Sequence, residues 1–409
     1  MWAFKAIHWL KPWKVLAMSA TRTLEQSIAR KGETLPTLDG WRAIAILLVL
    51  VGHAMDDIVA GVGAMGATFD PGAVRYIGIH GVLVFFGLSG FLITHRLLIE
   101  EQRHGRISLW AFYVRRTFRI MPATLFFLTA VGLLALAGVL DISVGRWLSS
   151  LLFAANYTTA EYSWYLGHFW SLAVEEHFYL VWPAMFLWLG VVRRRLAWAI
   201  GMALAVAIWR AIDFKFQLTG TSAAMFMGRT DIRVDHILWG VVVALAYTDP
   251  FWRPRLQSWL ADSRVTALLL LALAGLLFVY HVDWKLKFVL LSIEGMLVPL
   301  AIMSTTLNHS CRIARLLELP LLRLIGRLSF SIYLWQQLFL VWSDARVPAL
   351  APWQALPLNL VALAACAAFS FWLIEEPVIA LGRKFLARWP ASRRSSGVPL
   401  AVAPGIAKP

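Results

Sequence analysis

Charge is scarce in this chain. Only 15% of its 409 residues are Asp, Glu, Lys or Arg, where a soluble domain carries about 25%. Together with an apolar content above the globular norm, that deficit excludes a disordered chain and argues against a soluble enzyme. Cysteine is scarcer still. Cys311 and Cys366 supply no disulfide framework, no CxxC and no zinc-ligand spacing, so no metal is expected. Acidic residues number 23 against 38 Lys and Arg, a net charge of +15. In a soluble domain that excess invites a nucleic-acid partner. In a membrane protein the placement of the charges matters more than their sum, and no nucleic acid is expected. No internal repeat is visible, which disfavours a transporter built from inverted repeats. No secretory leader is expected either, because Lys5, Lys11, Pro12 and Lys14 interrupt the first apolar stretch.

What the chain has instead is apolar surface: 60% hydrophobic residues, 21 Trp and 24 Phe, with a mean hydropathy of +0.68. A helical span needs about 20 mostly apolar residues. Windows of that size fall at 40–60, 78–98, 121–140, 169–190, 196–213, 229–247, 265–281, 288–306, 324–343 and 356–376, with a short re-entrant piece at 147–156. The fold class expected is an all-α polytopic membrane protein with about ten transmembrane helices. Ten spans place both termini on one side, and that side holds 28 of the 38 basic residues, the other nine, with Arg42 inside the first span. The positive-inside rule then makes both termini cytoplasmic. The domains expected are a basic N-terminal tail over 1–37, a transmembrane domain over 38–382 and a basic, disordered C-terminal tail over 383–409. The first twenty residues, with three Trp, suit either a membrane-surface segment or a solvated tail.

Ionisable residues inside a bilayer are costly and by default mark function. In LDGWRAIAILLVLVGHA, Arg42 and His53 are eleven residues apart, which puts them about 20° apart in azimuth and ~16 Å apart along the axis. Arg42 then sits near the cytoplasmic surface and His53 in the outer half of the bilayer. The plainer readings are a snorkelling arginine and a helix-packing histidine. The fourth window opens with HFWSLAVEEHFYLVWP, which sets Glu175 and Glu176 about 9 to 10 Å below its outer end. Adjacent carboxyls cannot share a face, so one points into the bundle and the other needs a second partner. The sixth opens with RTDIRVDHILWG, setting Arg233 and Asp235 about 6 to 9 Å deep with Arg229 and Asp231 above them. His53, Glu175 and Asp235 are thus expected to meet at one depth, as a reacting centre or as ion pairs that only tie helices together. Asp39, Glu176, Asp231 and Arg233 form a supporting polar network, for substrate or for structure. On the cytoplasmic side FYVRRTFRIMP brings Arg115, Arg116 and Arg119 together. Guanidinium groups suit phosphate oxygens, though topology signalling or lipid headgroups explain the charge equally well.

From Leu38 to about Gly382 these blocks resemble the acyltransferase-3 family, integral-membrane O-acyltransferases that modify sugars of bacterial envelopes and related acceptors. LDGWRAIAILLVLVGHA is similar to its opening block, with Arg42 and His53 on the Arg-x10-His pattern. GVLVFFGLSGFLIT, FYVRRTFRIMP, WSLAVEEHFYLVWP, TDIRVD, LSFSIYLW and IEEP are similar to further blocks, in order. Leu83 stands where the family often has an acidic residue, and Gln336 where it often has His. The resemblance implies an acyl-CoA donor, most simply acetyl-CoA, with its phosphates on Arg115, Arg116 and Arg119 and with Arg42 guiding it inward. It implies His53 as general base on an acceptor hydroxyl or as a transient acyl carrier, oriented by Glu175 or Asp235. The implied partners are the lipid bilayer and a carbohydrate or lipid-linked glycan acceptor, and the implied location is a bacterial inner (cytoplasmic) membrane. The rival from another class is a proton-coupled permease or glycan transporter, with His53, Glu175 and Asp235 as the proton relay.

Overall fold

Each of the ten apolar windows carries a helix in the computed structural model, which describes residues 35–54, 77–158, 163–220, 228–278, 284–342 and 345–388. Most of both tails, as expected at 1–37 and 383–409, lies outside the described residues. In chain order the helices are α1 (Leu38–His53), α2 (Ile77–His104), α3 (Leu109–Leu136), α4 (Val144–Leu151), α5 (Phe169–Leu189), α6 (Val192–Phe216) and α7 (Val234–Ala246). They continue as α8 (Trp252–Leu260), α9 (Ser263–Phe278), α10 (Trp284–Leu307), α11 (Arg312–Leu317), α12 (Pro320–Phe339), α13 (Leu358–Phe369) and α14 (Glu376–Arg388). A π-helical turn, Ser370–Glu375, joins the last two, and no strand occurs among the described residues. Local chemistry sets several ends. Gly105, at a φ of 65°, closes α2 in the left-handed region. The Ser108 hydroxyl accepts from the Ala111 amide to open α3, and Ser143 does the same for α4 from Arg146. The re-entrant piece expected at 147–156 is in fact helix α4, with Arg146 buried and donating to the carbonyls of Ala155 and Leu166.

Helix α2 is the hub, packed between α1 and α7; α12 lies on the far side of α1, and α6 and α10 flank α7. Such close packing needs missing side chains. A Cβ on Gly90 of α2 would strike the carbonyl of Ile237 on α7, and a Cβ on Gly240 of α7 would strike the carbonyl of Gly87 on α2. The two helices are interlocked backbone to backbone, the arrangement by which helices associate in lipid, where no hydrophobic effect drives them together.

Exposure is inverted relative to a water-soluble protein. Leu133, Leu180, Trp188, Ile208, Leu268, Leu271 and Val361 lie on the outside, while Arg195, Arg210, Arg233 and Asp235 are among the most buried residues. Five helical stretches among the described residues are long and apolar enough to cross a membrane, or six if α8 and α9, bent by 82° at their junction, form one broken span. This falls short of the ten spans expected, for two reasons. Helices α1 and α9 have 16 residues and α7 has 13, whereas α5 and α12 carry the polar residues of the site.

The interlock predicts opposite outcomes for one substitution at two glycines. Gly240→Ala should lower stability by about 1–3 kcal/mol, the usual range for overpacking. Gly201→Ala in α6, where an added Cβ meets nothing within 4 Å, should raise it by roughly 0.5–1 kcal/mol. Thermal unfolding midpoints in detergent check this, and equal shifts would contradict the interlock.

Candidate active site

Between α1, α2, α3, α5 and α12 lies an open-ended cavity of about 110 Å³. Four guanidinium groups line it: Arg42 from α1, Arg96 from α2, and Arg116 and Arg119 from α3. Two carboxyls face them, Glu175 and Glu176 of α5. The excess of positive groups suits an anionic ligand. Helix periodicity explains the α5 wall, since Ser171, Glu175 and Tyr179 recur every four residues and share a face. The Glu175 carboxylate accepts from the Ser89 hydroxyl at 2.8 Å and from the Tyr179 hydroxyl at 2.8 Å. The Arg116 guanidinium stacks 3.4 Å over the Tyr179 ring. These contacts fix the carboxylate on the cavity wall.

At the end away from the arginines, the Ser171 and Tyr333 hydroxyls meet at 2.5 Å. One helical turn beyond, about 4.5 Å along α5 and α12, come His168, Gln336 and Gln337. His53 Nδ1 lies 2.5 Å from Gln336 Oε1. Its ring is edge-on to Trp164 at 5.3 Å and to Trp342 at 6.4 Å. His168 repeats the arrangement on the next residue of α12. Its Nδ1 is 2.7 Å and its backbone amide 2.8 Å from Gln337 Oε1. Two histidines therefore hang from consecutive glutamines, just past the inner end of the cavity.

Several placements differ from those expected from sequence. Asp235 does not join His53 and Glu175. Its carboxylate takes both Arg210 nitrogens, at 2.9 and 3.0 Å, and His236 Nδ1 at 2.9 Å, while Arg210 also donates to Ser292. The rise per residue sets the height of Asp235 but not its azimuth, and α7 turns it toward α6 and α10. His53 and Glu175 are not bonded to each other either, since the hydroxyl pair lies between their layers. Arg115 leaves the arginine cluster: 100° round the helix from Arg116, it pairs with Glu100 at 2.9 Å at the surface. Arg96 takes its place, legible only in retrospect as the basic residue ending the apolar run of α2. Of the supporting network, Asp39 accepts from Arg42 at 3.3 Å and Glu176 lines the cavity. Asp231 belongs to a separate cluster with Arg229 and the Trp209 indole, and Arg229 also holds Asp213. Arg233 is buried at the start of α7. Sequence reasoning passed over Ser89, Ser171, Tyr179, Tyr333 and Gln337, uncharged polar residues inside apolar windows, and His168 just ahead of one.

The profile described as an acyltransferase domain matches residues 35–375, all the helices of the cavity included. The chain belongs to the acyltransferase-3 family. Among family relatives it is 29% identical over 401 residues to a protein of Staphylococcus aureus strain MRSA252 provisionally named an O-acetyltransferase, covering 90% of this chain and 60% of that protein. It is 28% identical to the peptidoglycan O-acetyltransferase OatA of Listeria monocytogenes, over 84% of this chain and 55% of that one. It is 26% identical to the O-acetyltransferase OatA of Staphylococcus aureus strain NCTC 8325, over 88% and 59%. The chain thus spans little more than half the length of the curated relatives it matches. No solved structure matches it.

The isolation of Asp235 from the cavity makes a distinct prediction. Asp235→Asn leaves the Arg210 charge buried and uncompensated, which costs about 3–5 kcal/mol where a buried pair is broken. Thermal unfolding in detergent should register that loss, while the fraction that stays folded should keep its affinity for an anionic donor.

Proposed function

We propose that this chain is a membrane-embedded O-acetyltransferase that moves an acetyl group from acetyl-CoA to a hydroxyl of a glycan acceptor. The observation that carries this reading is a cavity lined by four arginines whose inner end, at Tyr333, lies one helical turn from Gln336, the partner of His53. The names of the Listeria and Staphylococcus relatives support acetyl as the group, and the Listeria name supports a glycan as the acceptor. In this reading ten helices cross a bacterial inner membrane with both termini in the cytoplasm, and the arginine end of the cavity opens to the cytoplasm.

Arg116, Arg119, Arg96 and Arg42 hold the donor's phosphates and its approach, and the acyl arm points past Ser171 and Tyr333 toward His53. His53 Nε2 takes the proton from the acceptor hydroxyl as its oxygen attacks the thioester carbonyl. The carbon–sulfur bond then breaks, the acyl–oxygen bond remains, and the departing thiolate receives the proton. Glu175 acts at the cavity wall, where it anchors Tyr179 and with it the stacked Arg116.

Two outcomes test this. His53→Ala should lower kcat for transfer of radiolabelled acetyl from acetyl-CoA to soluble peptidoglycan fragments by about 10² to 10⁴, the range for loss of a positioned base. Expression and unfolding midpoint should stay near the parent's, and retention of parental kcat would overturn the base. The double change Arg116→Gln and Arg119→Gln should mainly raise the KM for acetyl-CoA, because phosphate contacts persist in ground and transition states alike. Donor binding by the parent should weaken with ionic strength, and by the double variant less so. A drop in kcat with unchanged KM would move these arginines out of the donor site.

A further inference from the structure

We infer that Gln336 is a positioning residue for His53, fixing its tautomer through an uncharged acceptor so that Nε2 is the basic nitrogen. The inference rests on the proposed role of His53. Gln336 is fully buried in the last turns of α12, and its Oε1 faces His53 Nδ1 at 2.5 Å. An amide oxygen can only accept, so Nδ1 carries the hydrogen and Nε2 keeps its lone pair. Its own Nε2 is buried without a hydrogen-bond partner, so among the described residues the imidazole contact is what holds the amide in place.

Catalytic histidines commonly rest on a carboxylate, which orients the ring and also favours the imidazolium. Here the partner bonded to His53 is an amide. On the turn Trp164–Leu166 and beyond α12, the groups against His53 are the indoles of Trp164 and Trp342. The titratable and charged groups of the surrounding elements are otherwise committed. His168 of α5 is held by Gln337, Arg146 of α4 donates to backbone carbonyls, and His80 of α2 is bonded to Glu294 of α10. His53 lies within electrostatic reach of His168 but beside no bonded carboxylate. Against apolar walls, an uncharged partner orients the imidazole while leaving it neutral and ready to accept a proton. A carboxylate would instead stabilise the charged form before substrate arrives. The residue therefore supplies the orienting half of a triad's third member without its charge.

The test compares three proteins with radiolabelled acetyl-CoA and soluble peptidoglycan fragments. Gln336→Leu keeps the volume and removes the acceptor; it should lower kcat by about 10²-fold or more, since a wrong histidine tautomer can cost up to about 10⁴. The KM for acetyl-CoA and the unfolding midpoint should stay near parental values. Gln336→Glu accepts but cannot donate when ionised. It should restore most of the activity lost in the Leu variant and move the acid limb of the kcat profile to higher pH by about 1 unit, as an adjacent opposite charge does. If the Leu variant keeps parental kcat, or the Glu variant is as inactive as the Leu variant, the positioning role is overturned; an unmoved acid limb in an active Glu variant overturns it as well. If His53→Ala itself keeps parental kcat, it is the base that fails, and the two failures are distinguishable.

Discussion

Hydrocarbon offers no partner to a polar group, so each charge within the bundle must find its complement in protein. That constraint sorts the buried charges of this chain into separate compartments. Arg210, Asp235 and His236 close on one another between α6 and α7, with Ser292 completing the set from α10. His80 and Glu294 pair at 2.6 Å across α2 and α10. Arg195 is clamped by both oxygens of Glu101 and stacks on Phe186. These groups consume their own charge. The cavity differs because four guanidinium groups line it against two carboxyls, with Asp39 outside it on Arg42.

The packing that encloses these compartments depends on backbone contact. Gly90 and Gly240 let α2 and α7 meet, and Gly326 of α12 lies so near the backbone of Asp39 that a Cβ would collide with it. Helices α1 and α12 run side by side from that contact at one end to the His53–Gln336 bond at the other. The short tether at Gly326 and the hydrogen bond at Gln336 thus belong to one seam, along which Arg42 and His53 are held at fixed separation.

How much of this was legible in the sequence follows from what helical periodicity carries. Apolar periodicity gave the order of the helices, and the charges it left inside the windows include Arg42 and Glu175, which line the cavity. It did not give azimuth relative to neighbours, and so Asp235, at a suitable height, faces Arg210 instead of the cavity. Arg115 and Arg116 are consecutive in the chain and yet separated by the turn of α3, one at the surface and one inside. The uncharged groups were the hardest to read. Gln336 carries no charge to mark it in the sequence, and only its contact with His53 reveals it as a partner for the imidazole. Glu375 of the IEEP block is a further case. The π turn at Ser370–Glu375 brings it inward to the hydroxyls of Ser331 and Ser370, an irregularity that apolar periodicity does not encode.

Helix α7 has 13 residues, a length of about 20 Å at 1.5 Å per residue, against a hydrocarbon core of about 30 Å. Ahead of it lie the 3₁₀ turn Thr230–Ile232 and the polar cluster around Arg229, Asp213 and Asp231. Non-helical, charged backbone at such depth exists only where protein shields it or water reaches it. Here protein does the shielding, since Arg229 and Asp213 are buried and paired with each other. The N-terminal end of α7 is thereby closed by ion pairs where another turn of helix would otherwise stand.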